Sequence, residues 1–318
     1  MTRPPATTGR PPGLPVVEVT RRAELMGGWV SVHLRTVGAA DAAARDADRT
    51  LRRIEGWADR LTRHASSSDL SALNADRSPA AEVRPTLAAA LDWGRAAESL
   101  SGGVVDVALL HERLAAEGLA SPGMPPERAA WRAWSTSHRG RSTTVHRTER
   151  VRFDLDGVAK GWIADRALAT LAAYEDRIVD ADGDIAVAVA AGSSWSIGVA
   201  DPRNPGFDLA VLNLGGSAAA DQFGVATSGT SVHRWIVAGE TRHHLIDPRT
   251  GRSAITDVLQ ATVVAGSARV AETLAKTAVI LGSQRGIAFL AAADARGALL
   301  LTDRDELLMT AETERWLA

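Results

Sequence analysis

The sequence predicts a fold that mixes β-strands with long α-helices, and three features of the chain predict it. Val151, Phe153 and Leu155 alternate with Arg152 and Asp154, the period-two pattern of a half-buried strand, and after Gly161 the pattern changes to helical, with Ile163, Ala167, Thr170, Leu171 and Tyr174 in step. Long amphipathic stretches flank this corner: Ala43, Ala47, Leu51, Ile54, Ala58 and Leu61 mark one helix, and Val270, Leu274, Ala278 and Leu281 mark another. Between them lie short apolar runs separated by Asp/Gly and Pro/Gly turns, the mark of antiparallel strands.

A chain of 318 residues suggests one large domain or two ordinary ones, and at 45% hydrophobic it can bury a core. Thirty-six Lys and Arg face 38 Asp and Glu, so no global field favours nucleic acid or an anionic membrane. Without cysteine there are no disulfides, no thiolate metal sites and no cysteine nucleophile. Any metal must use oxygen or imidazole donors. Residues 1–20 are expected to be a disordered, proline-rich arm, since Met1 to Pro15 holds five prolines and no apolar core of a signal peptide. No stretch is long and apolar enough to span a bilayer, so a cytoplasmic protein without a membrane span is expected.

Taken in order, Met26-Gly-Gly-Trp-Val-Ser-Val-His-Leu reads as a strand with Val30, Val32 and Leu34 on one face. Gly27 and Gly28 allow either a close approach at its start or a bulge with Met26 as core filler. A helix follows from Ala39 to Leu61, and Ser66 to Asn74 reads as a capped turn. Pro85 to Leu100 is a further helix, closed by Ser101-Gly-Gly103, and the apolar run after it carries a lone carboxylate, Asp106. Such a group is either structurally satisfied or ligand-binding, because an unpaired buried charge is costly. Residues 111–150 read as a connection with one short helix.

The corner at 154–166 comes next. A strand passing to a helix through a glycine turn aims backbone N–H groups and a helix N-terminus at one point, which suits phosphate, and Asp154, Asp156, Lys160 and Asp165 stand beside it. An ordinary corner with solvated charges is the alternative. Asp180, Asp182, Gly183 and Asp184 lie between two apolar runs. A calcium loop would need flanking helices and a glutamate at its twelfth position, so a tight inter-strand turn is the better reading.

Trp195 to Asp201 is a strand, and Phe223 to Asp257 reads as a β-meander. In it Val232–Ala238 pairs with Thr241–Ile246 across Gly239-Glu240, and Asp247-Pro-Arg-Thr-Gly251 makes a turn. His243 and His244 must point to opposite faces, so at most one serves a given site. Val258 to Ala265 is a buried strand. Ser267 is the expected N-cap and Gly282 the stop of the helix that follows, on which Glu272 and Lys276 stand four apart, as in an ordinary ion pair worth about 0.3–0.5 kcal/mol. A hairpin at Leu299–Thr302 and Leu307–Met309 closes the chain.

Met26-Gly, Ser68-Asp-Leu-Ser-Ala-Leu-Asn74, Ser101-Gly-Gly-Val-Val-Asp106, Asp154 to Arg166, Asp182-Gly-Asp-Ile185, Ala226-Thr-Ser-Gly229, His244-Leu-Ile-Asp-Pro-Arg-Thr-Gly251 and Ala271 to Gly282 occur in this order. Together they resemble the ApbE family of flavin transferases, which use FAD to attach FMN to a hydroxyl of a target protein. The resemblance covers residues 21–318 and implies an α+β fold of two related β/α halves with FAD bound between them. It implies that Met26, Val104, Val105, Asp106, Asp154, Lys160 and Leu245 contact FAD, with His64 where relatives carry an aromatic residue. It makes His244 the general base. Magnesium would be held by a backbone oxygen near Gly157 and by Glu272, which stands where relatives have aspartate; Lys276 stands where they have threonine. The activity implied is FMN transfer to a Thr or Ser of an acceptor protein with release of AMP. A silent FAD binder or an FAD pyrophosphatase would use the same site.

Overall fold

The structure is a computed structural model that describes residues 15–120, 133–293 and 295–318. Its first half runs β1 (Val16–Leu25), β2 (Gly28–Val37), α1 (Ala40–Leu61), α2 (Asp69–Ala75), β3 (Ala80–Val83), α3 (Pro85–Leu100), α4 (Leu110–Ala116), β4 (Trp134–Arg139), β5 (Ser142–Arg147) and α5 (Ala159–Ala169). It continues through β6 (Asp176–Ala181), β7 (Asp184–Val189), β8 (Ser194–Asp201), β9 (Asn204–Gly215), β10 (Asp221–Gly229), β11 (Arg234–Val237) and β12 (Glu240–His243). Last come β13 (Ile246–Asp247), β14 (Arg252–Ser253), β15 (Val258–Ala265), α6 (Ala268–Leu281), α7 (Ser283–Ala292), β16 (Gly297–Thr302) and β17 (Leu307–Met309).

Eight strands form one antiparallel sheet in the order β1-β2-β6-β7-β10-β15-β16-β17. Alternation sorts its side chains. Val179, Ala186 and Ala188 join α1 and α5 in one core, while Val263, Ala261 and Leu300 join α6 in a second. The intervening Ile178, Val187, Val225, Val264 and Leu299 face the other way, onto the β8–β9 hairpin. The architecture is α+β, with helices on one face of the sheet and the hairpin on the other. Each fully buried side chain such as Phe153, Ile163 or Leu274 contributes about 1.5–3 kcal/mol.

The helix layer is tight where glycine permits it. A Cβ on Gly161 of α5 would lie 2.8 Å from the Ala268 backbone, and one on Gly224 of β10 would lie 1.9 Å from the Ser267 carbonyl carbon. The start of α6 is thereby pressed against both α5 and the sheet. Its N-cap differs from the expectation. Ser267 makes no side-chain cap hydrogen bond; the Asp165 carboxylate of α5 accepts from Ala268 N (2.9 Å) and Arg269 N (3.2 Å) instead. A cap borrowed across two helices has no signature in local sequence.

Other expectations need correction. The proposed arm lies outside the described residues up to residue 14, but Val16 to Thr20 are not an arm: they pair with β2, Val16 opposite Val37 and Thr20 opposite His33. Met26-Gly27 is neither a bulge nor a strand start. It is a two-residue hairpin turn with φ of 56° and 83°, the left-handed pair that the twist of antiparallel strands favours. Segment 151–155 alternates fully buried with partly buried side chains without joining a sheet. Asp154 N donates to Val107 O (2.8 Å), and Asn74 bridges both backbone polar groups of Phe153 at 2.8 Å. The connection expected over 111–150 contains the β4–β5 hairpin besides α4; residues 121–132 of it lie outside the described residues. The β11–β12 turn falls at Ala238-Gly239, one residue earlier than expected. The Asp182-Gly183 turn is as read. No helix among the described residues is long and apolar enough to cross a membrane.

Candidate functional site

Four segments, joined by Arg113 of α4, converge on an open cleft of about 520 Å³, a volume that includes solvent at its mouth. The first is the loop after α3. Gly102 and Gly103, at φ 60° and 82°, turn the chain, and the Ser101 hydroxyl accepts from Val105 N (2.9 Å), so that Val104, Val105 and Asp106 face the cleft. Asp106 accepts from Ala108 N at 2.8 Å, which fixes the carboxylate against its own loop. The second is 154–158, held by the Asn74 bridge and by its bond to Val107. The third is His244-Leu-Ile246. The fourth is α6, whose Lys276 and Ile280 form the floor.

The two histidines separate as strand geometry requires. His243 is buried with Nε2 3.0 Å from the Ala254 carbonyl, while its Nδ1 accepts from Leu245 N at 3.3 Å; Nε2 therefore carries the proton and donates. His244 turns into the cleft. Its Nδ1 is buried without a hydrogen-bond partner, and its ring meets His233 edge-on at 5.3 Å. Burial first, then the charges of Lys276 and Arg113, pushes the His244 imidazole down to about 2, so the ring is neutral at working pH.

Opposite it stands a network that sequence reading missed. Arg63 Nη2 bonds Glu117 Oε1 at 2.5 Å, and its Nε stands 3.6 Å from Asp154 and 3.5 Å from Asp156. Arg113 shares Glu117, with Nε to Oε1 at 2.7 Å, and donates from Nη1 to the His244 carbonyl at 2.9 Å. The Arg63 Nε is buried without a hydrogen bond. Burial and the neighbouring Asp156 raise the Asp154 carboxyl to about 6. Burial would raise Asp156 too, but His64, Arg63 and Arg113 outweigh it and hold Asp156 well below the usual carboxylate range.

The cleft thus gathers Val104, Val105, Asp106, Asp154, Gly157, His244, Leu245 and Lys276. Met26, His64, Lys160 and Glu272 are not part of its lining. His64 is at the rim, 65% exposed, with Nε2 3.9 Å from Asp156. Lys160 lies deeper, 3.3 Å from Asp182 and 3.8 Å from Asp184, which gives the Asp/Gly turn a role as its counter-charge. Met26 belongs to the same corner, because its hairpin packs on that turn: a Cβ on Gly28 would fall 2.1 Å from Asp182 Oδ1.

Glu272 is buried, and its Oε2 accepts from Gly161 N at 3.1 Å. One turn further along α6, the Lys276 ammonium rests on Gly157, where a Cβ would lie 2.3 Å from Nζ. Burial, followed by their mutual repulsion among other charges, raises Asp184, and burial also raises Glu272, while Lys160 and Lys276 oppose both shifts. Two acids and two lysines therefore form one cluster beneath the cleft. Among the described residues there is no group of three or more His, Asp or Glu placed to hold a metal ion.

A model of the ApbE family matches residues 26–300. An FAD:protein FMN transferase of Treponema pallidum (strain Nichols) is 30% identical over 152 residues, which is 44% of this chain and 41% of that protein. Another, of Klebsiella pneumoniae (strain 342), is 25% identical over 162 residues, 50% of this chain and 48% of that protein. The chain spans less than half the length of these curated relatives. Among solved structures, the ApbE protein of Thermotoga maritima MSB8 superposes with a TM-score of 0.78 at 21% identity, covering 95% of this chain and all of that one (100%). The flavin transferase ApbE of Vibrio cholerae does so at 0.71 and 20% identity, covering 95% and 100%. These likenesses establish the fold.

Proposed function

Because the chain belongs to the ApbE family, we propose that it transfers FMN from FAD to a Thr or Ser hydroxyl of an acceptor protein, with release of AMP. The observation that carries the reading is the pairing of His244, neutral and with a buried unpartnered Nδ1, with the Lys276 cation in the lining of one cleft. An alcohol is a weak nucleophile, and an imidazole in hydrogen-bond reach can take its proton as it attacks. The hydroxyl oxygen bonds to the phosphorus of the FMN half, the bond from that phosphorus to the bridging oxygen breaks, AMP departs with that oxygen, and the hydroxyl proton passes to His244. Lys276 faces the charge of the pyrophosphate, and Arg113 orients the His244 backbone through its carbonyl. The arriving dianion would offset Lys276 and Arg113, the charges that depress His244, and so raise its basicity when substrate is bound.

Val104, Val105, Asp106, Asp154 and Leu245 would line the FAD site, and Met26, His64 and Lys160 would reach it only from its rim or through neighbouring groups. The magnesium expected at Gly157 and Glu272 does not fit the residues present. The place beside Gly157 holds an ammonium, and Glu272 is committed to the Gly161 amide, so no step is routed through a metal.

Incubation with FAD and candidate acceptor proteins, followed by intact-mass measurement, tests the reading. Expected is a mass gain of one FMN on a single Thr or Ser with stoichiometric AMP. AMP release without acceptor modification would indicate a pyrophosphatase, and FAD binding with neither product would indicate a silent binder; either would sink the transferase.

A further inference from the structure

We infer that Lys276 stands in for a divalent cation, so that this chain engages the pyrophosphate of its dinucleotide without magnesium. The inference rests on the flavin-site reading above but concerns this chain's own substitution. Its ground is position. The Lys276 ammonium presses on the Cα of Gly157, the residue from which a metal would take its backbone oxygen, and it faces the cleft from the floor. A residue larger than glycine at 157 would displace it, so the corner and the lysine fit one another.

The surrounding groups argue the same way. Glu272, the remaining carboxylate candidate on α6, is buried and already accepts the Gly161 N–H, which leaves it poorly placed to turn toward an ion. Asp184 lies in the same buried cluster, where burial raises both acids and lowers Lys276, and the opposite charges of acids and lysines resist each of these shifts. A divalent ion entering here would meet the Lys276 ammonium beside Gly157 at short range, and would find Asp184 already facing Lys160 at 3.8 Å. Magnesium also demands a near-octahedral oxygen shell, and an ammonium donates where that shell must accept. For a phosphate oxygen, by contrast, Lys276 is an adequate point charge and hydrogen-bond donor.

The inference makes the metal dispensable for the wild-type chain and recoverable by restoring oxygen ligands. Wild type and the double variant Glu272→Asp/Lys276→Thr are melted with EDTA or with excess Mg²⁺, and titrated with Mn²⁺ followed by electron paramagnetic resonance, with and without FAD. FAD affinity is read in parallel by flavin fluorescence quenching. Wild-type melting temperature is expected to ignore Mg²⁺, with FAD affinity changing by less than about threefold between EDTA and Mg²⁺. The double variant is expected to bind one Mn²⁺ and to gain melting temperature with Mg²⁺. Lys276→Met alone should weaken FAD by about tenfold or more without restoring a metal site.

A wild-type chain that binds one Mn²⁺ in the cleft, or needs Mg²⁺ to hold FAD, overturns the inference. If neither protein binds FAD, the flavin reading fails, and the metal titrations still decide the role of Lys276. Should the double variant fail to fold, the wild-type Mn²⁺ titration and Lys276→Met carry the decision alone.

Discussion

Replacing Gly157 by alanine is a sharp probe of this site, because the added methyl meets one flexible group. The new Cβ would lie 2.3 Å from Lys276 Nζ, with Cε and Cδ at 3.4 and 3.6 Å, so the ammonium must retreat while the remaining contacts stay ordinary. Gly157 is not in the left-handed region, so the backbone accepts alanine. A retreat of about 1 Å, from roughly 4 to 5 Å from a phosphate charge at an effective dielectric near 20, costs about 0.8 kcal/mol of attraction, or about fourfold in FAD affinity. Stability should fall by less than about 1 kcal/mol, since only the end of one lysine side chain has to shift and no core atom does. The assay is FAD titration by fluorescence quenching on wild type, Gly157→Ala, Lys276→Met and the double variant. The methyl is expected to weaken binding in the wild-type background and to do nothing once Lys276 is methionine. An effect that persists undiminished beside methionine would refute the steric argument, and so would loss of folding by Gly157→Ala.

Three further outcomes follow from the same geometry. His244→Ala should lower FMN transfer by about a hundredfold or more while FAD affinity changes little, and the His244 imidazole, followed by NMR, should titrate at higher pH once FAD is bound. Asp154, raised to about 6, holds its proton in the folded state over a range where the unfolded chain has lost it, so its contribution to stability grows as pH falls from about 6 towards 4; urea midpoints across that range should lose this component in Asp154→Asn. Asp156 works with the opposite sign at lower pH, because its depressed carboxyl gives stability that is lost as the medium acidifies through it. Asp165→Ala removes both amide hydrogen bonds at the start of α6 and should cost about 2 kcal/mol by chemical denaturation, with Asp165→Asn recovering part of it.

What sequence could and could not convey follows from the range of each interaction. The α3 span, the Asp182-Gly183 turn, the Val258–Ala265 strand and the opposite faces of His243 and His244 all rest on contacts within a few residues, and periodicity or turn chemistry reports these directly. The Arg63–Glu117–Arg113 network was invisible because Arg63 and Glu117 are 54 positions apart, and each looks like a solvated surface charge in its own window. Arg63 follows a helix end and neighbours His64, which singled out the exposed partner rather than the buried one. The Asp165 cap failed for the same reason: Ser267 is the correct residue type at the correct place, but an acid 103 positions away reaches the Ala268 amide. Segment 151–155 shows the limit of alternation itself, since a chain can bury every second side chain while its amides bond to Asn74 and Val107 in place of a neighbouring strand.

These long-range contacts also explain why Lys276 can sit where it does. An ammonium held beside a glycine needs the helix that carries it to be fixed relative to the corner that receives it. Three contacts between α5 and α6 supply this: the Asp165 cap on Ala268 and Arg269, the close approach of Gly161 to the Ala268 backbone, and the Glu272 carboxylate on Gly161 N. Gly157, four residues before Gly161 and leading into α5, is therefore placed by the same clamp that sets the register of α6. A substitution of threonine by lysine on α6 alone would leave a charge with nowhere to go. With the clamp in place, Lys276 finds Gly157 on one side, Glu272 and Asp184 beneath, and the open cleft in front. That arrangement holds the Lys276 ammonium in the lining of the cleft, the place where the proposed function needs a positive charge.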